Sequence, residues 1–174
     1  LYLPKKNDYL VMILLGMLLA SHWVTYFHAM QISSVAVGAI ALYTFPVITV
    51  FLEPLFHGER PHVVDVLSGF AVLFGIYFLM PTIELNNQNT QGVLWGMVSA
   101  FLFSLRNIMQ GKYCGHVSAR HALLYQSLVV VIVLLPFGGN VVPQVTNVQW
   151  WQLLLLGVVF TALPHTLFAH SLLH

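Results

Sequence analysis

The sequence predicts an all-α fold, a polytopic transmembrane helix bundle of six spans, and three observations predict it. Only 6% of its 174 residues are charged and 59% are hydrophobic, whereas a water-soluble chain carries about 25% charged residues. The mean hydropathy is +0.84, so the chain has too little polar surface to cover a globule in water, and lipid is the solvent it suits. Its apolar residues also gather into six runs of near-membrane length, since about 30 Å of hydrocarbon takes roughly 20 residues at about 1.5 Å each.

The first run, Tyr9–Met30, follows Lys5 and Lys6 and has no small-residue cleavage site after it, so it reads as a span rather than a signal peptide. The second, Val35–Phe56, starts behind Ser34, a good N-cap, and carries Pro46 near its middle. The third, Val63–Met80, opens after Pro61, which suits a first-turn position. The fourth, Val93–Tyr113, bears Gly92, Gly96, Ala100 and Ser104 every four residues. Such a small-residue stripe lets another backbone come close, as a packing seam inside the bundle or as the face of a homodimer. The fifth, Leu123–Phe137, is short, and Pro136 before Gly138-Gly139 fits equally a helix lying partly within protein. The sixth, Trp150–Leu173, is interrupted by Pro164.

Six spans put successive joints on alternate sides, and the basic residues then sort. Lys5, Lys6, Arg60, Lys112 and Arg120 share one side, while the opposite joints carry Glu84 and no Lys or Arg. The inside-positive bias places that side, and with it the N-terminus, in the cytoplasm, and the setting is an inner, cell membrane. Trp95, Trp150 and Trp151 fall near span ends on the other side, where indoles anchor at headgroups. The chain opens at Leu1 rather than Met and stops inside an apolar run, as a segment of a longer reading frame would.

Several function classes drop out. A formal net charge of +1 without a basic stripe gives nucleic acid nothing to bind. Cys114 is the only cysteine, so an intrachain disulfide is impossible. Phosphate loop, dinucleotide fingerprint and serine elbow are all missing, so no cofactor and no catalytic residues are assigned.

Ionisable groups inside a span cost about 2.5–3.5 kcal/mol each, so an interior one is a candidate for a polar pathway. Glu53 lies six residues before Glu59 and Arg106 six before Lys112, each roughly 9 Å from the cytoplasmic boundary at about 1.5 Å per residue. Equal depth permits a salt bridge or gate between the second and fourth spans, or a charged anchor for a zwitterionic solute. The plainer account is an Arg106 that snorkels and a Glu53 held at the Pro54 kink. Pro46 and Pro164 each free a carbonyl four residues earlier, which kinks a helix and exposes backbone to a ligand. His22, His28, His165 and His170 sit within spans, either satisfied by backbone carbonyls or lining the pathway as proton carriers. His57, His62, His116 and His121 fall in cytoplasmic joints and read as interfacial. His170 and His174, spaced i, i+4, are two ligands only, so no metal is assigned. Trp23, Tyr26, Tyr43, Tyr77 and Gln110 add polar-edged surface suited to an amphipathic solute or to ordinary packing.

An offset of 141 residues lays Leu14-Leu15-Gly16 over Leu155-Leu156-Gly157, Thr25 over Thr166 and Phe27 over Phe168. The two runs cross in opposite senses, as an inverted repeat with an odd number of spans requires. The segment Ala29-Met30-Gln31-Ile32-Ser33-Ser34-Val35-Ala36, then Pro46, then Gly58-Glu59-Arg60-Pro61, then Gly69-Phe70 and Gly75-Ile76 resembles the second half of an EamA domain of the drug/metabolite transporter superfamily. Asn89 to His174 is similar to the first three helices of a second such domain. The resemblance implies ten helices in two inverted five-helix repeats, of which this chain holds helices three to eight: residues 1–84 from the first repeat and 89–174 from the second. It also implies a carrier of a small organic metabolite, an amino acid or drug-like solute, working by alternating access in the lipid bilayer. The Glu59-Arg60 pair then positions a cytoplasmic joint. The competing readings are a histidine-based, metal-dependent integral membrane enzyme, which wants clustered His pairs, and a scaffold or sensor subunit, which wants a large soluble domain.

Orientation is testable directly. A single cysteine introduced at Arg60 in a Cys114→Ser background is expected to resist impermeant maleimide on intact cells and to react once the membrane is opened. Labelling from outside overturns the assigned topology.

Overall fold

The computed structural model describes residues 6–58, 61–78, 84, 86–138 and 144–171, with backbone alone at 169 and 170. Its described residues form helices α1 (Lys6–Ile32), α2 (Val35–Leu42), α3 (Phe45–His57), α4 (Val63–Tyr77), α5 (Gln88–Cys114), α6 (Ala119–Gly138), α7 (Asn147–Leu155), a π-helical stretch Leu156–Ala162, and α8 (Leu163–Ser171). Taking α2 with α3, and α7 with the π stretch and α8, this is a polytopic helical bundle of six apolar segments. Five are long and apolar enough to cross a bilayer, and the sixth, Val63–Tyr77, is a shorter apolar helix.

Burial is arranged as lipid demands. Leu55, Phe137 and Ile132 are exposed, while Thr90, Ser99, Ser104, Arg106, Asn107, Gln110 and Gln126 are buried. Hydrocarbon offers no hydrogen bonds, so polar side chains turn inward and large apolar ones outward.

The segment ends follow local chemistry. Ser34 caps α2 as its type predicts, accepting from the Val37 N–H at 3.2 Å. Gly58 ends α3 in the left-handed region, φ 73°, with its N–H on the Pro54 carbonyl at 2.7 Å. Pro61 is not in the first turn of α4: His62 is the N-cap and Pro61 precedes it. The last segment begins earlier than Trp150, because Thr146 and Gln149 form a reciprocal capping box that starts α7 at Asn147.

The second segment is broken. Tyr43 and Thr44 form a turn between α2 and α3, and Pro46 is in the first turn of α3. Lacking an N–H, Pro46 cannot bond the Leu42 carbonyl, so the ladder of α2 stops there. Thr44 closes the break: it is fully buried, and its hydroxyl donates to the Ala41 carbonyl at 2.7 Å. At eight and thirteen residues, the two pieces are about 12 and 20 Å long, and neither crosses a bilayer alone. Pro164 acts differently, entering α8 just after the π stretch, where the Leu163 N–H bonds the Val158 carbonyl five residues back. The extra residue in that turn absorbs the bond that Pro164 cannot make.

The chain divides into two compact units, with boundaries inside α1 and α5: Ser21–Ile108 forms one, and the residues up to Ala20 with those from Met109 onward form the other. In the second of these, Met12, Leu15, Cys114, Val117 and Ala122 make the core, flanked by Val11, Met109 and Tyr125. Gly16 lets α1 approach α6, where an added Cβ would lie 2.5 Å from Val129 Cβ. In the Ser21–Ile108 unit, Val37, Ala41, Ile76 and Val93 make the core, and α3 packs on α4 with Gly69 against Val47.

The small-residue stripe of α5 is an internal seam. Gly92 faces Ser33 and the Ala29 carbonyl, Gly96 faces Ala41 Cβ and the Gly38 carbonyl, and Ala100 and Ser104 are fully buried. Backbones come close there with only the short side chains of Ser33 and Ala41 between them. Gly96→Ala, whose methyl would sit 2.5 Å from Ala41 Cβ, is expected to destabilise by about 1–3 kcal/mol. Gly75→Ala, with open space around it, should be neutral or slightly stabilising. Thermal unfolding of the two variants in detergent micelles measures the contrast.

Candidate functional site

The polar interior of the Ser21–Ile108 unit is built on α5 opposite the broken segment. Ser104 brings its hydroxyl to the Phe45 carbonyl at 2.8 Å and to the Ala100 carbonyl at 2.9 Å, so its one proton serves either. The Phe45 carbonyl also accepts from the Thr49 hydroxyl at 2.8 Å. A hydroxyl from a neighbouring span is thus tied to the first turn of α3, just after the break, within the protein interior where broken helices are tolerable at membrane depth.

A second polar contact ties α5 to α1. His22 is 4% exposed, and its Nδ1 lies 2.8 Å from Ser99 Oγ and 3.1 Å from the Ser99 carbonyl. The Ser99 hydroxyl donates to the His22 carbonyl at 2.9 Å, so the reciprocal set is completed when Nδ1 carries the proton. The imidazole stacks on Phe103 at 4.8 Å, and Phe103 meets Phe45 edge-on at 5.0 Å. His22 is therefore a histidine bonded to a backbone carbonyl and joined through Phe103 to the break.

Arg106 is buried at 1% exposure and donates from a guanidinium N–H to Asn107 Oδ1 at 2.9 Å. The structure does not bring Glu53 to it. Glu53 is exposed and lines an open groove of about 280 Å³ with Val50, Pro54, His57, Pro61, His62 and Asp65. The His57 ring donates from Nδ1 to the Glu53 carbonyl at 3.2 Å when protonated there. Asn107 Nδ2 is buried without a hydrogen-bond partner, a state that costs about 1–3 kcal/mol.

The remaining candidates are dispersed. His28 is exposed and meets Trp95 edge-on at 5.0 Å. Tyr43 is 67% exposed at the break, and Pro46 and Pro164 are exposed. His165 is half-buried, with Nδ1 2.9 Å from the Thr161 carbonyl. In the other unit, Gln110 is fully buried and accepts from Gln126 Nε2 at 3.0 Å, while its own Nε2 has no partner. Asp8, 5% exposed, meets His116 Nε2 at 3.0 Å through both carboxylate oxygens, so His116 is anchored rather than merely interfacial. Glu59 and Arg60 lie outside the described residues, as does His174. Among the described residues, no group of three or more His, Cys, Asp or Glu is placed to hold a metal ion.

Ser99, Asn107, Gln126 and Asp8 are absent from the sequence-based candidates. Gly92, Ser99 and Arg106 are each seven residues apart, a spacing that returns to one helical face after about two turns. That was the signal placing Ser99 and Arg106 with the seam.

Polar side chains buried inside apolar helices define the class: a multi-pass helical membrane protein with a polar interior. Residues 2–80 match the EamA-like transporter family, and the chain carries an EamA-like transporter family domain. It is 24% identical over 175 residues to the uncharacterized transporter YxxF of Bacillus subtilis, covering 97% of this chain and 55% of that protein. It is 30% identical over 152 residues to an uncharacterized transporter of Archaeoglobus fulgidus, covering 85% of this chain and 52% of that protein. The chain therefore spans about half the length of these curated relatives. No solved structure matches it significantly.

The His22–Ser99 contact predicts a measurable coupling. In a double-mutant cycle, His22→Phe and Ser99→Ala should each destabilise and show an interaction energy of about 0.6–1.7 kcal/mol, the range for hydrogen bonds between membrane helices. Strict additivity of the two unfolding free energies in micelles would remove the contact from any stabilising role.

Proposed function

We propose that this chain forms part of a carrier in the cell's inner membrane, moving a small organic metabolite by alternating access, with the N-terminal end of α1 cytoplasmic. Residues 1–84 and 89–174 are taken as portions of two inverted repeats that rock about a central site. The observation that carries this reading is the proline-interrupted second segment within an EamA-like domain, with a buried hydroxyl of α5 reaching the Phe45 carbonyl in the first turn of α3, just after the break. Broken helices facing a polar interior are how transporters make a binding site in hydrocarbon. The names of the two relatives support the same reading.

In this proposal the pathway residues are Tyr43 and Pro46 at the break, His22, His28 and Arg106 beside it in the same unit, Glu53 at the groove, and Gln110, Pro164 and His165 in the other unit. Glu59 and Arg60 position the joint between α3 and α4. The solute is an amphipathic organic molecule, an amino acid or drug-like compound, suited to tyrosine edges and aromatic faces.

The test is uptake and efflux by the full-length natural protein in proteoliposomes, across amino acids, nucleotide sugars and amphipathic drugs, with and without a proton gradient. Movement of at least one solute class above protein-free vesicles is expected. Pro46→Ala, which lets the helix run through, should lower that rate roughly three- to tenfold, a barrier increase of about 0.7–1.4 kcal/mol, with membrane insertion unchanged. A wild-type protein that moves none of the panel, or a Pro46→Ala variant with the full rate, defeats the proposal.

A further inference from the structure

We propose that the start of α1 and the joint between α5 and α6 form a binding surface for the headgroups of anionic phospholipids. This surface is separate from any solute pathway and does not depend on what the protein carries.

Charge is unevenly distributed along the chain. The unit made of the residues up to Ala20 and from Met109 onward carries Lys5, Lys6, Lys112 and Arg120 against a single acid, Asp8. That acid is turned inward: it is 5% exposed, and both of its oxygens lie 3.0 Å from His116 Nε2. One carboxylate cancels one cation at most, so the unit keeps a positive surplus whichever group Asp8 faces. Lys6, Lys112 and Arg120 are all exposed, and among the described residues Lys6 and Arg120 make no ion pair. The fold gathers them. The Asp8–His116 contact ties the first turn of α1 to the joint, and Met12, Cys114, Val117 and Ala122 pack together beneath it. Lys6 opens α1, Lys112 is in the last turn of α5, and Arg120 is in the first turn of α6. Helix N-terminal turns favour acids and disfavour cations, so local helix chemistry does not account for Lys6 and Arg120. An anion arriving from outside offsets their cost.

The surroundings of the cations choose a lipid as the source of that anion. Tyr9 and Tyr113 are exposed beside them; Tyr9 meets Tyr125 edge-on at 5.7 Å, and the Lys112 ammonium lies 5.7 Å from the centre of the Tyr113 ring. Tyrosines next to basic residues mark the headgroup level of a membrane. Apolar surface follows directly along the same helices, with Leu10 69% exposed on α1 and Leu124 and Leu128 exposed on α6. A soluble anion would use the cations alone. A phospholipid uses both parts, its phosphate at the cations and its acyl chains on the leucines.

The experiment uses the full-length natural protein in nanodiscs made from equal parts of phosphatidylglycerol and phosphatidylcholine, and native mass spectrometry counts the lipid that stays bound on release. Phosphatidylglycerol is expected to be retained over phosphatidylcholine roughly twentyfold, at about fivefold for each surplus surface cation. Lys6→Gln and Arg120→Gln should each lower that preference about fivefold, while Arg120→Lys keeps it. The melting temperature of all three variants in pure phosphatidylcholine should match the wild type. The wild-type preference should also fall as salt rises from about 0.1 to 1 M, where the screening length shrinks from about 10 to 3 Å. Equal retention of the two lipids, a preference indifferent to salt, or a Lys6→Gln/Arg120→Gln protein with the wild-type preference overturns the inference. Millimolar glycerol 3-phosphate should leave the bound phosphatidylglycerol in place; its displacement assigns the surface to a soluble phosphate and overturns the lipid reading. Solute movement is not the readout, so a failure of the carrier reading and a failure of this one are seen separately.

Discussion

The close approach of α5 to the α1–α2 region of the same unit is the constraint on which the rest depends. Gly92 and Gly96 leave room for the carbonyls of Ala29 and Gly38 to come within touching distance, and only then can short side chains bridge helices. Ser99 reaches His22 and Ser104 reaches Phe45 because serine has one heavy atom beyond Cβ. Bulk at the seam would move the backbones apart and undo both bonds together. In lipid such contacts replace the hydrophobic effect, which gives helices no reason to prefer one another over acyl chains.

From this follows an uneven division of labour. The apolar exterior sets where the helices lie, and the polar interior sets how they meet. The break at Tyr43–Thr44 belongs to the second category: a free Leu42 carbonyl would be costly against lipid and is admissible within protein. The histidine, two serines and the aromatic Phe103 that surround it form one connected set of contacts.

Much of the architecture was legible beforehand because it depends on distance along the chain. Hydropathy runs measured against bilayer thickness located all six segments, Ser34 declared its cap, and Pro46 announced an interruption. Pairing across helices was not legible in the same way. Glu53 and Arg106 were matched by depth, but depth says nothing of azimuth. Glu53 follows Val47, the buried residue of α3, by six positions, which at about 100° per residue turns it roughly 240° from that face. Arg106 follows buried Ser99 by seven positions and so returns to the interior. The Gln126–Gln110 and Asp8–His116 contacts join residues far apart in sequence, for which one chain offers no spacing rule. The α7 start was available in Thr146 and Gln149 as a capping box, and apolar composition alone concealed it.

Of the five longest membrane segments, the α5 segment is both the least apolar and the most enclosed. Alone in a bilayer, its arginine, asparagine and glutamine would make it a poor candidate for insertion, since each ion costs about 2.5–3.5 kcal/mol. It emerges from the ribosome, however, after α1, α2 and α3 have been made, when His22 and the Phe45 carbonyl can already receive it. Chain order thus serves biogenesis: the helix least able to enter the membrane unaided is synthesised when its hosts are in place.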